Sequence, residues 1–500
     1  MSITGPGSLT AANLLAQTNM FNQLNTLSQQ LGTGEAAQTY SGLGSQAGLA
    51  LELNTQLSAI GGYATTATDV GTTLGVAQSV LSQIADTSNQ VDQSVQQQGA
   101  FSLDNTGQTS VQESAANYFD QIVALLNTEA GGNYLFSGSA VNQPAVADSS
   151  EILNGNGAQA GLTQIIAQRQ QADLGSSGLG RLGISTSGST VTVSQDGSPF
   201  GFQLTGVDSS LTGATASGPS GTPPSISVDL SSNPNPGDSI QFELTLPDGS
   251  TQTISLQATS NSPPAANQFT IGTSVGTTAT NLQTALTSAV SNLAQTALPA
   301  ASAMEAAENF FSGNPPQRVA GPPYDTATSL VNATPADTVT WYTGENGSTP
   351  ARQTATAQVG PSMSVDYGMR ANEQAFTSLL ANIGVLAATT YSASDPNAQS
   401  SYQALCQSIS ANLTDQSGTQ TVTDIEADMT NAQTTVQNAT TLNTQTQSTL
   451  QDMLQGIDGV NQNAIGEQIL TLQNSLSASM SVTARLAQLS LVNYLAPSSG

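Results

Sequence analysis

The two ends of this chain carry the same apolar pattern, and that pattern restricts the possible folds more than any other feature. Residues 8–98 and 400–495 contain Leu, Ile, Val, Met and Ala at helical spacing, with Ser, Thr, Asn and Gln between them and few charges. Mostly apolar residues recur at alternating steps of three and four in three segments: Met20, Leu24, Leu27 and Leu31; Leu74, Ala77, Leu81, Ile84, Ser88, Val91 and Val95; and Val422, Ile425, Met429, Ala432, Val436 and Ala439. A helix with such a seam lies along another helix. Two helical arms around a middle of different composition are typical of a subunit that polymerises through its termini.

The composition excludes most catalytic chemistry. The chain has no His, and all six of its basic residues are Arg. Without Lys it has neither a Schiff-base site nor a phosphate-loop lysine. Without His it has neither a Ser-His-Asp triad nor a His-ligated metal. We therefore expect a protein that is not an enzyme, with no catalytic residue, metal site or cofactor.

The charge argues against two classes of partner. The net charge is −27, yet only 8% of residues are charged, so basic residues are rare and not clustered. Nucleic acids and anionic membranes both need clustered Lys and Arg, so we expect neither as a partner. The first basic residue is Arg169, whereas a cleavable secretory signal begins with a basic region. We expect an extracellular protein that is exported without a cleaved signal peptide.

The residue pattern predicts a mainly α fold with inserted β structure, an α+β protein. Glycines at 32–48 predict a turn between two helices, and further helices are expected at about 110–129 and 276–297. From about 181 to 272 the apolar period is near two, and Pro247-Asp248-Gly249 predicts a β-hairpin. Short strands are expected at 338–343 and 355–367. The predicted regions are an N-terminal helical arm at 1–130, a transition at 131–180, an inserted β-rich domain ending in a helix at 181–298, a loop and return β region at 299–370, and a C-terminal helical arm at 371–500.

Three uncommon side chains each have two interpretations. Cys406 is the only cysteine and lies at helical spacing among apolar residues, which favours a buried inert thiol over a reactive one. Trp341 and Tyr342 are interpreted as core residues of the β region, with a surface contact as the alternative.

Acidic residues cluster where a C-terminal helix is predicted to begin, at Asp424, Glu426 and Asp428. A favourable interaction with the helix dipole explains them, with calcium binding as the alternative. The glycine-rich stretch at 42–48 is faintly like a dinucleotide loop, but no strand precedes it and no Lys follows, so an inter-helix turn is favoured.

Four segments resemble proteins of the bacterial flagellin superfamily. The segment NYLFSGSAVNQPA (133–145) is similar to the stretch that follows the N-terminal helices in that family, and GEQILTLQNSLSASMSVTARLAQLSLVNYL (466–495) is similar to its C-terminal signature. Residues 341–376 resemble its return from the β region, and residues 31–63 its N-terminal helix–turn–helix. The chain is most similar to the hook–filament junction proteins, hook-associated protein 3. Its long central insertion keeps filament flagellin as the alternative.

The resemblance implies a non-catalytic subunit whose terminal helices form the inner tube of a hollow helical polymer. It implies a homo-oligomer in contact with hook-associated proteins and flagellin, an export chaperone, and secretion through the flagellar type III apparatus. The residues expected at the assembly interface are Met20, Leu24, Leu27, Leu31, Val422, Ile425, Met429, Val436, Leu472, Leu476, Arg485, Leu486, Leu489, Val492 and Leu495.

Other interpretations stay open. The seam at 422–439 is equally compatible with a bundle inside one chain. Arg485 either pairs with an acid on a neighbouring subunit or lies at the surface of the tube. From another class, a secreted glycan-binding or glycan-cleaving protein could work with two carboxylates, although aromatic residues are only 4% of the chain.

Overall fold

The computed structural model describes residues 6–97, 101–414 and 418–494, with side chains described at 11–97, 101–414 and 418–488. The α-helices are α1 (Pro6–Thr33), α2 (Ala47–Gln97), α3 (Ser110–Leu126), α4 (Ser149–Asn154), α5 (Leu162–Leu174), α6 (Val275–Gln295), α7 (Ala297–Ser312), α8 (Gln374–Ala388), α9 (Ala398–Thr414), α10 (Val422–Asp458) and α11 (Gln462–Tyr494). Short 3₁₀ helices lie at Tyr40–Gln46 and Ala351–Thr354.

The strands are β1 (Glu129–Ala130), β2 (Asn133–Tyr134), β3 (Leu182–Ser187), β4 (Thr190–Gln195), β5 (Gln203–Ser209), β6 (Ala214–Ser220), β7 (Ser225–Leu230), β8 (Ser239–Thr245), β9 (Thr251–Thr259), β10 (Gln268–Thr270), β11 (Gln317–Val319), β12 (Leu330–Asn332), β13 (Thr356–Gly360) and β14 (Met363–Asp366). The predicted α+β class is therefore confirmed. Within the described ranges, no helix combines the length and the apolarity that a bilayer-spanning segment needs.

The chain divides into two compact units. The terminal unit comprises Met1–Gly71, Ala357–Val365 and Thr434–Gly500. The central unit comprises Thr72–Thr356 and Asp366–Gln433.

The terminal unit is built from long helices with a small core. Helices α1 and α11 pack on each other. Leu53, Ile60 and Leu450 form the buried cluster, with Leu57 and Leu454 packed against it. The predicted turn at 32–48 is confirmed, because α1 ends at Thr33 and α2 begins at Ala47.

The central unit contains a β-rich insertion, called here the inserted domain (residues 182–295). It has two four-stranded sheets, in the orders β10-β9-β8-β5 and β3-β4-β7-β6. Ile240, Phe242 and Leu244 of β8 are buried while the residues between them are exposed, because side chains alternate across a strand. The predicted hairpin is confirmed, since β8 and β9 pair antiparallel and the pair Thr245 and Thr251 lies next to the turn. One face of α6 completes this core with Leu282, Leu286 and Val290.

The rest of the central unit is mainly helical, with the short strands β1, β2, β11 and β12, and three of its helices, α4, α5 and α7, were not predicted. α7 occupies 297–312, where a loop was expected, so that prediction is wrong at its start. The segment is rich in Ala, which has the highest helix propensity, and most of it is buried, including Leu298, Met304 and Phe310. The short strand expected at 338–343 is also absent from this described segment, where Thr338 and Tyr342 form isolated bridges only. The strands expected at 355–367 are confirmed as β13 and β14.

Candidate assembly surface

Exposed large apolar side chains concentrate in the terminal unit. Among the described side chains, Val331 alone of this class belongs to the central unit. The others are Leu14, Leu15, Phe21, Leu31, Tyr40, Leu49, Leu51, Leu442, Met453, Leu470, Met480, Val482 and Leu486. The most exposed are Leu14 (64%), Leu15 (65%) and Leu470 (62%). Because apolar surface in water is unfavourable, these residues are candidates for contact with a partner.

The predicted seams of α1 and α11 lie on a helix pair within one chain. Met20, Leu24 and Leu27 are half-buried, as is Leu472, whereas Leu476 is buried. Between the two helices the Gln17 side-chain Nε2 donates to the Ser479 hydroxyl at 3.3 Å and to the Thr483 hydroxyl at 3.0 Å. The seams are thus partly covered by each other, and the remaining faces of both helices are open to solvent.

The seam of α10 is covered inside the chain. Ile425 and Met429 are fully buried and Val436 is 3% exposed, whereas Val422 is half-buried. In the central unit α2 lies beside α10, where the Gln78 amide donates to the Thr430 hydroxyl at 3.5 Å. These side chains are covered within the chain in this conformation, and their place at an assembly interface stays a prediction. The alternative, a bundle inside one chain, is equally compatible with their burial.

The C-terminal signature contributes an exposed charged residue and an exposed apolar one. Arg485 and Leu486 are both exposed. The side chains of Leu489 and Val492, and all of Leu495, lie outside the described residues. Arg485 forms no ion pair with any residue that the structure describes, whereas Arg169, Arg181, Arg318, Arg352 and Arg370 all pair with carboxylates in the central unit.

The terminal unit offers mainly uncharged contacts. Its only Arg or Lys is Arg485, and most of its exposed polar residues are Gln, Asn, Ser and Thr. Such side chains stabilise an interface only when each finds a hydrogen-bonding partner there. The arrangement is therefore suited to close packing of helices and not to association driven by charge.

The remaining sequence candidates are explained by packing. Cys406 is buried, as predicted, and its burial raises the pKa of the thiol to about 11. Trp341 and Tyr342 are buried, also as predicted, and the Trp341 ring packs edge-on against Phe311 with centroids 5.2 Å apart.

The acidic cluster belongs to the start of α10. The Asp424 carboxylate accepts from the Thr421 backbone N–H at 2.8 Å, which lowers the pKa of Asp424, and the Asp424 N–H donates to the Thr421 hydroxyl. This reciprocal capping confirms the helix-end interpretation for Asp424. Asp428 instead lies 3.2 Å from the Arg352 guanidinium.

Sequence reasoning missed the exposed apolar residues outside the seams. Leu14, Leu15 and Leu470 do not belong to the a/d rhythm that selected the other candidates. A search for apolar residues off the seam positions of each helix would have found them.

One comparison with known proteins bears on these observations. Residues 8–141 match the family model of the bacterial flagellin N-terminal helical region. No curated protein matches the chain. The matched segment includes α1, α2 and α3. The match supports an assignment to the flagellin superfamily and, with it, a structural role.

Proposed function

We propose that this chain is a structural subunit of the extracellular bacterial flagellum that joins the hook to the filament. The concentration of exposed large apolar side chains in the terminal unit carries this proposal. The flagellin match over residues 8–141 supports the flagellar context. The terminal helices assemble with copies of the same chain into a hollow tube.

The apolar surface supplies the driving force for assembly. Moving one exposed Leu side chain fully out of water stabilises an interface by about 1.5–3 kcal/mol. Leu14 and Leu15 are adjacent in α1, and Leu470 adds a comparable apolar contact from α11. Several such residues buried together on each subunit offset the loss of translational and side-chain freedom on association.

The junction role is favoured over the filament role by the resemblance of residues 133–145 and 466–495 to junction proteins. Filament flagellin is the alternative, because the inserted domain is long. Copy number separates them: a junction protein forms one short ring zone per flagellum, whereas a filament protein is present in thousands of copies. Quantitative mass spectrometry of purified flagella measures this ratio against a hook protein.

The assembly surface is tested with matched substitutions of exposed apolar residues. Leu15→Gln and Leu470→Gln should each raise the concentration needed for polymerisation about tenfold, because about 1.4 kcal/mol of apolar contact is lost. Val331→Gln is the control: it replaces an apolar side chain of the central unit that is 48% exposed, and it should leave polymerisation unchanged. Sedimentation and negative-stain microscopy measure the polymer, and the unfolding free energy of all three monomers should change by no more than about 0.5 kcal/mol. Equal polymerisation by the three variants and the native chain would contradict the proposal.

The proposed partners are hook-associated proteins, flagellin and an export chaperone, with secretion that involves no cleaved signal peptide. Arg485 is proposed to pair with a carboxylate on a neighbouring subunit. Arg485→Gln should weaken assembly, Arg485→Lys should restore part of it, and added salt should reduce the difference. Assembly of Arg485→Gln at the native level would place this side chain at a free surface instead.

A further inference from the structure

One sheet of the inserted domain ends in a strand that is only partly paired. β8 pairs with β9 along 251–257. On the other side of β9, the short parallel strand β10 pairs only with residues 257–259. No other strand of the described chain lies along residues 251–256, so this part of β9 has an open edge.

The hydrogen bonds of β9 show which backbone groups face that edge. The Gln257 N–H donates to the Asn267 carbonyl, and the Thr259 carbonyl accepts from the Ile271 N–H, both on the β10 side. The Ala258 N–H and carbonyl bond instead on the β8 side. Because these directions alternate along a strand, the N–H and C=O groups of Thr251, Thr253 and Ser255 point to the open edge.

A groove lies beside this edge. It has a volume of about 1040 Å³ and runs between β9, the loop at 262–267 and one face of α6. Its apolar lining includes Phe269, Ala285 and Ala289, and the described residues around it include no charged side chain. The small Ala side chains of α6 leave room for another chain next to the exposed backbone groups.

The open edge lacks the features that usually block strand addition. Native sheets protect edges with Pro, with charged side chains or with a bulge. Residues 251–256 read TQTISL, without Pro or charge, and their pairing with β8 has no shift of register. β5, at the far side of the same sheet, has such a shift between Leu204 and Gly206.

We propose that the edge of β9 at residues 251–256 binds an extended, uncharged peptide segment of another protein as an additional strand. The backbone groups of Thr251, Thr253 and Ser255 supply the hydrogen bonds, and the groove accepts small or β-branched side chains at alternate positions. β10 already pairs on the same side of β9, at residues 257–259. The absence of charge from the groove selects an uncharged segment, because a charged side chain would lose its water without gaining a partner. The inference does not depend on the proposed assembly of the terminal helices.

The test uses the full chain and a blocked, fluorescent hexapeptide of sequence TVTVSQ, a copy of β4. The peptide should bind saturably at concentrations up to the order of 1 mM, and hydrogen exchange of residues 251–256 should slow when it binds. Thr253→Pro removes an N–H that faces the groove and leaves every N–H that bonds to β8. It should therefore weaken binding at least tenfold.

A second pair of variants decides the outcome if Thr253→Pro disturbs the strand. Ser288→Arg places a charged side chain in the groove and should weaken binding at least tenfold, whereas Thr280→Arg lies exposed on the same helix outside the groove and should not. Absence of saturable binding, or equal binding by both arginine variants, would overturn the proposal. Protection of residues 251–256 that rises with protein concentration in the absence of peptide would also overturn it, since a second copy would then cover the edge.

Discussion

Arg169 and Arg181 stabilise the segment that leads into the inserted domain through buried polar contacts. The Arg169 Nε donates to Asp173 Oδ2 at 2.8 Å, and the other Asp173 oxygen accepts from the Gly201 N–H at 2.9 Å. The Phe200 ring lies against both guanidinium groups, each 5.5 Å from its centroid, a cation–π arrangement. Burial raises the pKa of Asp173, so its ionised form depends on the Arg169 charge and these hydrogen bonds.

Removing the Asp173 carboxylate should therefore lower the stability of the central unit. Asp173→Ala leaves the Arg169 charge poorly compensated in a buried site and should destabilise the central unit by about 3–5 kcal/mol. Urea unfolding followed by fluorescence of Trp341, the only tryptophan, measures the change. Asp208→Ala, at an exposed position of β5, is the matched control and should shift stability by about 0.5 kcal/mol or less. Similar effects of the two substitutions would show that the buried pair contributes little.

Asp337 should make stability depend on pH in the acid range. The Thr338 hydroxyl and the Thr334 N–H and hydroxyl hydrogen-bond its carboxylate, and they lower the pKa of Asp337 from 3.8 to about 2. A carboxyl whose pKa is lowered on folding stabilises the fold above its unfolded value, and this contribution disappears as pH falls through the folded value. The native chain should thus be more stable than Asp337→Asn at pH 5, and the difference should vanish near pH 2. Acid titrations of unfolding for both proteins measure it, and a difference independent of pH would contradict the assignment.

At the scale of secondary-structure elements, the terminal helices differ sharply from the central ones. No described side chain between 11 and 33 is buried, and Ile465 and Leu476 are the only buried ones described in α11. In α8, by contrast, nearly every residue is buried. Helices without a buried face are marginal in water, because few contacts offset the cost of ordering them.

We therefore expect α1 and α11 to open readily in the unassembled protein. Their amides should exchange hydrogen near the unfolded rate while α8 stays protected, and proteinase K should cut both helices first. Polymerisation should slow exchange in α1 and α11 strongly, because neighbouring subunits then cover them. Equal protection of α1, α11 and α8 in the monomer would mean that the two terminal helices are already stabilised within one chain.

At the scale of the whole molecule, the inserted domain has a core that is largely its own. Its buried cluster joins both sheets and α6, and only Leu298 and Ala301 come from α7. Contacts outside that cluster would also be lost on its removal, including the hydrogen bond from the Gly201 N–H to Asp173, the ion pair between Asp196 and Arg181, and the packing of Phe200 on Ala172 and Val319.

Replacing residues 183–295 by a flexible Gly/Ser linker of about ten residues should leave export and assembly largely intact. The remaining central unit should be less stable, since Leu298 becomes exposed and Asp173 loses a donor. Complementation of a strain that lacks the native protein, with microscopy of its flagella, measures assembly. Loss of polymer with a folded remainder would contradict this expectation and place the inserted domain within the polymer contacts.

The local features of this protein could be predicted from sequence. The turn between α1 and α2, the hairpin between β8 and β9 and the helices α3 and α6 all lie where glycines, an Asp-Gly pair or apolar periodicity placed them. Burial of Cys406 followed from its helical spacing among apolar residues. These features depend on backbone preferences and on side-chain spacing within a few residues, and both are written in the sequence.

Only the tertiary structure decided what covers each apolar stripe. Ile425 and Met429 follow the same rhythm as Met20 and Leu24, yet the first two are fully buried in the chain and the others are only half-buried. Likewise α7 is a helix because surrounding elements bury its Ala-rich surface, in a segment whose prolines and glycines further along suggested a loop. A period of 3.5 residues shows that a helix has an apolar side, but a partner in the same chain and a partner in another chain produce the same period. Which partner is present depends on contacts between residues hundreds of positions apart, and the spacing of residues along the sequence does not predict those contacts.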